Sequence, residues 1–157
     1  MLLNTRLTIC VGLFVLGQLV GCGVKPEANS GGDAYRHTAE QMVMEEWVDG
    51  ELAYGNGDRT DWKKFELDQA SMVYLSLNLD LPGSGAELGV YNRVGVPLGS
   101  VTKGEGATKT ATLAVNAPTD GLFFIRIRAT GGEPTSYSVK ASLSADSDTN
   151  NSDVPDF

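Results

Sequence analysis

The clearest pattern in the chain is a strict alternation of apolar and polar residues between positions 73 and 81. Every odd position in this stretch is apolar, and the even positions from 76 to 80 are polar. Alternation of this length places one set of side chains on each face of an extended strand, whereas a helix would distribute them around its axis. The stretch therefore predicts a β-strand with one buried face, and Leu77 at its middle is expected to be central to the core.

The same alternation recurs along the chain in short segments separated by turn-forming residues. Phe65 and Leu67 continue it before a short polar connection that ends at residue 71, which predicts a hairpin. Later segments follow at roughly ten-residue spacing, with clusters of Gly, Pro, Asn and Asp between them. They cover residues 86–91, 96–98, 110–115, 122–128 and 137–143. Strands that recur in this way predict an all-β fold, an antiparallel β-sandwich with one core.

Residues 38–54 carry two competing patterns. Residues 38–41, Thr-Ala-Glu-Gln, match a helix capping box. In contrast, Val48, Leu52 and Tyr54 fall on alternate positions that suit a strand, and a Gly-Asn-Gly-Asp turn follows them. We predict a strand over residues 47–54 as the start of a sandwich domain at 47–144, and residues 38–46 remain without an assignment.

The amino terminus has the organisation of an export signal. Arg6 is the only charged residue among the first 22, and residues 7–20 are apolar apart from Thr8 and Gln18. That run is about fourteen residues long, shorter than the ~20 that a membrane-spanning helix needs, so it suits the apolar region of a signal peptide. It ends in Leu19-Val20-Gly21-Cys22, which resembles the lipobox of bacterial lipoproteins.

The lipobox resemblance implies a membrane anchor. In that family diacylglycerol is attached to the cysteine sulfur, here Cys22, residues 1–21 are removed, and the new amino terminus is acylated. Two or more acyl chains hold a protein stably to a bilayer that it does not span. Gly23 follows the cysteine; an Asp there commonly signals retention in the inner membrane of Gram-negative bacteria, so its absence implies the outer membrane. The bacterial cell envelope is therefore the expected location, and its membrane is the expected first partner.

The segments on either side of the sandwich have the composition of unstructured chain. Residues 23–37 are rich in Gly, Asn, Ser and Pro and show no apolar period. We interpret residues 22–46 as the lipidated cysteine and a flexible linker, which lets the folded body stand off the membrane. Residues 145–157 are acidic and polar, and we expect them to form a disordered tail.

Three motifs within the predicted sandwich resemble those of a known family. Residues 57–67 contain the pattern Gly-Asp-x-x-Asp-Trp-x-x-Phe-x-Leu, residues 86–92 read Ala-Glu-Leu-Gly-Val-Tyr-Asn, and residues 120–127 open a closing hairpin. These motifs resemble the bacterial pre-peptidase C-terminal domain, a non-catalytic, jelly-roll-like β-sandwich, over residues 47–143. The resemblance implies structural roles for the matching residues Asp58, Asp61, Trp62, Phe65 and Leu67.

The net charge and the reactive side chains limit the classes of function. The chain has 12 Lys and Arg residues against 20 Asp and Glu residues, a net charge of −8. Such a surface repels phosphate backbones, so nucleic acid is not an expected partner. Cys10 and Cys22 both fall in the amino-terminal signal region, and His37 is the only histidine. The body has no disulfide, metal-binding or phosphate-loop motif, so we expect no cofactor and no enzymatic activity.

Asp58 and Asp61 are the candidate metal ligands, because Ca²⁺ prefers several oxygen ligands. Arg59 lies between them, however, and Glu87 and Gly89 stand where the resembled family usually has an acidic pair. These departures weaken any acid-dependent function more than they weaken the fold. We therefore interpret Asp58 to Asp61 as a turn, which Asp stabilises through its own backbone.

Trp62 has two interpretations. As a large aromatic residue beside the start of a strand, it is expected to pack over one end of the sandwich. As a sugar-stacking platform, it would need other exposed rings beside it, from among Tyr54, Tyr74 and Tyr91. The adjacent Lys63-Lys64 pair is interpreted as two solvated strand residues.

The sequence as a whole predicts a non-enzymatic, lipid-anchored envelope protein whose β-sandwich is a binding or assembly module. Its partner would be an envelope protein or a polysaccharide. The alternative is a carbohydrate- or calcium-binding module at the cell surface. A small hydrolase would need a second catalytic group near His37 and a formed cleft, and the sequence indicates neither.

Overall fold

The computed structural model describes residues 24–104, 106 and 108–145. The predicted signal peptide, the predicted lipidation site Cys22 and residues 146–157 of the predicted tail lie outside these residues. Within the described ranges, no helix is both long enough and apolar enough to cross a membrane. The helical turns there are the 3-10 helices Arg36–Thr38 and Tyr54–Asn56.

The described strands form two facing sheets. The strands are β1 (Glu40–Gln41), β2 (Val48–Leu52), β3 (Thr60–Leu67), β4 (Ser71–Leu79), β5 (Gly85–Asn92), β6 (Pro97–Lys103), β7 (Thr110–Ala117), β8 (Gly121–Gly131) and β9 (Thr135–Ser142). One sheet has five strands in the order β1-β3-β8-β5-β6, and the other has four in the order β2-β9-β4-β7. Neighbouring strands are antiparallel except β1, which pairs with β3 in parallel. The β-sandwich predicted from the alternation is confirmed.

Alternate residues of the central strands point between the sheets and form the core. In β4, Val73, Leu75 and Leu77 are at most 1% exposed, so Leu77 lies where the alternation predicted it. Phe123 of β8 stacks on Phe65 of β3 with ring centroids 5.7 Å apart. Burial of each such side chain stabilises the fold by about 1.5–3 kcal/mol relative to exposure, which makes this core the main support of the sandwich.

The loops gather at two opposite ends of the sandwich, and we name each end by one residue. The Gly57 end contains the loops at 53–59, 80–84 and 132–134. The Val94 end contains the loops at 43–47, 68–70, 93–96 and 118–120. Each antiparallel strand joins the two ends, so a residue's position along its strand fixes which end it approaches.

Residues 24–46, which we call the strap, run along the sandwich from the Gly57 end to the Val94 end. The amide of Trp62 donates a hydrogen bond of 2.9 Å to the carbonyl of Asp33, and the amide of Met42 donates one of 2.9 Å to the carbonyl of Lys64. Between these bonds, β1 pairs with β3, so the strap covers a strand edge that would otherwise be open. The buried apolar side chains of the strap are Ala34, Ala39 and Met42.

The flexible linker predicted at residues 22–46 is therefore wrong for residues 24–46. The buried side chains of the strap are mostly small and widely spaced, and they give no period. Backbone hydrogen bonds hold the segment on the sandwich instead, and such bonds cannot be inferred from amino-acid composition. The capping-box residues 38–41 form the end of a 3-10 helix and β1 rather than an α-helix. The strand predicted at 47–54 is present but shorter, since Tyr54–Asn56 is a 3-10 helix.

Candidate functional site

The outer face of the five-stranded sheet carries aromatic and charged side chains on three neighbouring strands, β3, β8 and β5. The strand register places Trp62, Arg126 and Gly89 in one row across these strands. Outward positions alternate with core positions along each strand, so pairing alone brings these residues to one face. The flanking rows are Lys64, Phe124 and Tyr91 on one side, and Thr60, Arg128 and Glu87 on the other.

Arg126 contacts two aromatic rings at the centre of this face. Its guanidinium carbon lies 5.2 Å from the ring centroid of Tyr91 and 5.9 Å from that of Trp62. The two rings are 5.3 Å apart at their centroids and are inclined to each other by 51°. Cation–π contacts of this kind stabilise by about 0.5–1 kcal/mol at exposed sites and by more when water is excluded. We call Trp62, Tyr91 and Arg126 the aromatic–arginine cluster.

Gly89 makes room for the ring of Tyr91 beside Arg126. A Cβ at position 89 would lie 3.2 Å from Cε2 and 3.3 Å from Oη of Tyr91. That approach is closer than ordinary van der Waals contact, so a side chain there would push the ring aside. The family resemblance presented Gly89 only as a missing acid, whereas in the structure its missing side chain lets the ring of Tyr91 lie close to the backbone of β5.

Glu87 fixes the two arginines of β8 in place. Its carboxylate oxygens accept hydrogen bonds from Nη2 of Arg126 and from Nη2 of Arg128, each at 2.5 Å. Partial burial acts to raise the pKa of Glu87, but the two guanidinium groups outweigh it and hold the pKa below its ordinary value. One carboxylate is shared between two guanidinium groups, so this part of the face keeps an excess of positive charge.

The strap adds another cation to the same face. The guanidinium carbon of Arg36 lies 5.4 Å from the ring centroid of Phe124, next to Arg126 along β8. Among the described residues, neither Nη1 of Arg36 nor Nε of Arg126 has a hydrogen-bond partner, although both atoms are buried. A buried donor without an acceptor costs about 1–3 kcal/mol, so each of these two nitrogens makes the arrangement less stable than a fully paired one. Sequence reasoning missed Arg36, because it lies in the segment interpreted as linker.

A second polar group lies between the strap and the two sheets. The hydroxyl of Tyr137 donates a hydrogen bond of 2.6 Å to Oδ2 of Asp61. Nζ of Lys63 donates to Oδ2 of Asp33 at 2.7 Å and to Oε2 of Glu40 at 2.5 Å. The interpretation of Lys63 as a solvated residue is wrong, since it is 2% exposed. Its ammonium is buried because two carboxylates of the strap take the place of water.

Burial shifts the pKa values of this group. Desolvation raises the pKa of Asp61 to about 7, although the hydrogen bond from Tyr137 and the charge of Lys63 act against it. Burial alone would lower the pKa of Lys63, but its bonds to Asp33 and Glu40 outweigh burial and raise the pKa. Burial, followed by the charge of Asp61, raises the pKa of Tyr137 well above its ordinary value. Asp61 therefore changes its charge near neutral pH.

The candidate metal ligands Asp58 and Asp61 have different surroundings. Asp58 forms a backbone bridge with Ala53 after the 3-10 turn at Tyr54–Asn56, and burial raises the pKa of its carboxyl. Asp61 lies within β3, so the turn predicted at Asp58 to Asp61 ends before Asp61. In the part of the chain that the structure describes, no three His, Cys, Asp or Glu side chains are grouped so that they would hold a metal ion.

The candidate aromatic residues fall in three different places. Trp62 and Tyr91 meet in the cluster, so Trp62 lies on the outer face of a sheet and not over one end of the sandwich. Tyr54 lies at the Gly57 end, where the guanidinium carbon of Arg59 is 4.3 Å from its ring centroid. Tyr74 belongs to β4 in the other sheet. The four rings therefore do not converge, and the pair that does is inclined rather than coplanar.

Solved structures share this fold. The chain is similar to the pre-peptidase C-terminal domain of a collagenase from Bacillus anthracis, with a TM-score of 0.54 and 16% sequence identity, over 66% of this chain and 93% of that one. The sandwich has a pre-peptidase C-terminal-like fold. It is also similar to a surface-associated copper-binding protein of Methylomicrobium album BG8, with a TM-score of 0.51 and 9% identity, over 68% of this chain and 98% of that one. No protein-family model and no curated protein matches the sequence.

Identities this low extend the likeness to the fold and no further. The pre-peptidase C-terminal-like sandwich supplies the strands and their register, and the side chains on the outer face belong to this chain. The case for a function therefore depends on the aromatic–arginine cluster and its neighbours.

Proposed function

We propose that this protein is a non-enzymatic lipoprotein of the bacterial envelope, anchored through lipid on Cys22, whose sandwich binds a partner. The lipobox-like residues 19–22 and the signal-like run before them support the anchor and, with Gly23, an outer-membrane location. The pre-peptidase C-terminal-like fold supports a binding module, because two sheets closed over an apolar core leave their outer faces for recognition. Tethering at a membrane raises the effective concentration of a weak binder near its partner.

The observation that carries the binding proposal is the placement of Arg126 against the rings of both Trp62 and Tyr91. Aromatic rings and arginine are the side chains most enriched where binding energy is concentrated. Gly89 opens the space that this arrangement needs, and Glu87 holds the guanidinium in place. The cluster is thus organised before any ligand arrives, which lowers the ordering cost of binding.

The charge of this face indicates the chemistry of the partner. Arg36, Lys64, Arg126 and Arg128 share the face with Glu66 and Glu87, so cations outnumber carboxylates there although the chain as a whole carries a net charge of −8. Guanidinium groups form charge-assisted hydrogen bonds with carboxylate and phosphate oxygens. We propose that the partner is an envelope component that presents such acidic groups to the outer face of the five-stranded sheet.

The proposal is tested with the lipidated protein, immobilised and exposed to a detergent extract of the native envelope. Arg126→Gln and Tyr91→Leu should each lower the retained partner by at least about tenfold, which corresponds to 1.4 kcal/mol. Tyr74→Leu is the matched control, because it removes an aromatic side chain from the opposite sheet and should leave binding unchanged. Equal retention by all four proteins would contradict the choice of face.

A neutral carbohydrate is the second candidate ligand, because Trp62 and Tyr91 do come together. Their inclination of 51° does not give the flat platform on which a sugar ring stacks, and Arg126 lies against both rings. Titration of the protein with an anionic and a neutral polysaccharide separates the two ligand classes. Binding of the neutral polymer alone, independent of salt, would favour the carbohydrate module over the acidic partner.

A further inference from the structure

The strap fixes where the chain leaves the sandwich. Gly57 has a φ of +83°, which favours glycine, and a Cβ there would lie 2.6 Å from the carbonyl oxygen of Lys25 and 2.7 Å from Cγ1 of Val24. The side-chain amide of Asn29 donates to the carbonyl of Asn56 at 2.5 Å. The described chain is thus packed against the Gly57 end from its first residue.

Glu27 strengthens this attachment. It has a φ of +60°, an uncommon conformation for a residue other than glycine, and its carboxylate is held on both sides. Oε1 accepts a hydrogen bond of 2.8 Å from the hydroxyl of Thr60, and Oε2 accepts bonds from the hydroxyl of Ser30 at 2.6 Å and the amide of Arg59 at 3.3 Å. These hydrogen bonds hold the backbone of Glu27 in its uncommon conformation, so the start of the strap has a defined position on the sandwich.

The number of residues between the proposed anchor and this attachment is small. Gly23 alone separates Cys22 from Val24. Two residues of extended chain span at most about 7 Å. A flexible linker over residues 24–46 would instead have an average span of about 25–30 Å. The packed strap removes that reach, so a lipid on Cys22 would hold the Gly57 end within a few ångströms of the bilayer surface.

From these distances we infer that the Gly57 end of the sandwich rests against the phospholipid surface that holds the Cys22 lipid. The inference depends on the lipid anchor proposed above and assigns it an orientation. Tyr54 and Arg59 at this end suit a headgroup region, where amphipathic aromatic residues and arginine are favoured. Asp58, Asp80 and Glu133 lie there too, so the short tether and not charge holds this end at the surface. An open depression of about 440 Å³ there is lined in part by Tyr54, Arg59 and Arg128.

Exposed apolar area does not by itself distinguish the two ends. Val24, Tyr54 and Leu81 are 39–45% exposed at the Gly57 end, and Val94 and Val96 are 76% and 52% exposed at the other. The position of Val24 decides between them, because the anchor can reach only the end at which the strap begins. The Val94 end would then point away from the membrane. The aromatic–arginine cluster lies on a side of the sandwich between the two ends, so it would face along the membrane surface and neither toward it nor away from it.

Fluorescence quenching by spin-labelled phospholipids tests this orientation. The mature lipoprotein is reconstituted into vesicles of phosphatidylcholine and phosphatidylglycerol and carries one fluorophore on an introduced cysteine. Gly55→Cys and Gly83→Cys place the label at the Gly57 end, where a Cβ at either position meets no atom within 4 Å. Val94→Cys places it at the opposite end, at a residue that is 76% exposed. We expect quenching at 55 and 83 to exceed that at 94 several-fold.

A matched control separates contact of the Gly57 end with the bilayer from attachment of the protein through its lipid. Insertion of about 20 Gly and Ser residues between Gly23 and Val24 should reduce quenching at 55 to the level at 94, while the protein still floats with the vesicles. Equal quenching at 55, 83 and 94 in a protein that floats with the vesicles would contradict the inferred orientation but not the lipid anchor. If the mature protein without the insertion does not float, the anchor fails, and the orientation inferred from it fails as well.

Discussion

The hydroxyl of Tyr137 donates a hydrogen bond of 2.6 Å to Oδ2 of Asp61, and this bond joins the two sheets across the interior. Tyr137 belongs to β9 of the four-stranded sheet and Asp61 to β3 of the five-stranded sheet. Both side chains are at most 5% exposed. A carboxylate in this position loses hydration, and the bond from one hydroxyl and the charge of Lys63 do not fully replace it.

We predict that the stability of the sandwich decreases as the pH rises from about 5 to 8. Burial raises the pKa of Asp61 from 3.8 to about 7, so the folded protein binds the proton more tightly than the unfolded chain does. The stabilisation is complete below the ordinary pKa and is lost as the pH rises through 7, by about 1.4 kcal/mol per unit of pKa difference. Denaturant unfolding at several pH values measures it.

Asp61→Asn is the control for this pH dependence. The amide oxygen still accepts the hydrogen bond from Tyr137, but the side chain no longer titrates. Its free energy of unfolding should therefore change less between pH 5 and 8 than that of the unmodified protein. If the free energy of unfolding changed equally with pH in both proteins, Asp61 would not be the group whose titration causes the change.

We predict that Lys63→Met releases the strap, whereas Lys64→Met does not. Removal of the buried ammonium leaves the carboxylates of Asp33 and Glu40 without their partner. Loss of one member of a buried ion pair costs about 3–5 kcal/mol, and the cost here should be nearer 1–3 kcal/mol because Glu40 is half exposed to water. Hydrogen exchange at the amides of Met42 and Trp62 should accelerate only in the first variant. Equal protection in both variants would contradict the role of Lys63.

We predict different outcomes for two glycine substitutions that lie five residues apart in the sequence: Gly50→Ala destabilises the fold, and Gly55→Ala does not. A Cβ at position 50 would collide with the ring and hydroxyl of Tyr137, and the bond to Asp61 would be disturbed with it. Overpacking of this kind costs about 1–3 kcal/mol. A Cβ at position 55 meets open space, so its effect should stay within about 0.5 kcal/mol. Thermal unfolding of the two variants, measured side by side, checks the contrast.

We predict that Cys22 is acylated, on the basis of the lipobox-like residues 19–22. Cells that express the protein in the presence of labelled fatty acid should incorporate the label, and Cys22→Ala should abolish it. Label that persists in the variant would show that Cys22 is not the acylated residue and would contradict the proposed anchor.

Much of the fold could be predicted because the strands alternate cleanly. In β4 and β8 the core side chains fall on alternate positions, and a period of two is enough to identify a strand and its buried face. The strap could not be predicted in this way. The strap is held by an edge pairing between β1 and β3, and its ion pairs join Asp33 and Glu40 to a lysine more than twenty residues away. No local pattern reports such contacts.

The candidate site was predictable only in its parts. Alternation predicted that Arg126 points outward, and the search for a sugar platform included Trp62 and Tyr91. Their meeting depends on the register between β3, β8 and β5, which joins residues that lie far apart in the chain. Gly89 shows the same limit, because its role is visible only once the ring of Tyr91 lies beside it.

The pairing of early strands with late ones has a consequence for export. β3 pairs with β8, and β2 pairs with β9, so both sheets need strands from the two halves of the chain. A chain that crosses a membrane amino terminus first would have β2 and β3 on the far side while their partners were still inside. The five-stranded sheet could not close until β8 had emerged, and the four-stranded sheet could not close until β9 had followed it. Folding of the sandwich would therefore have to wait until translocation was nearly complete.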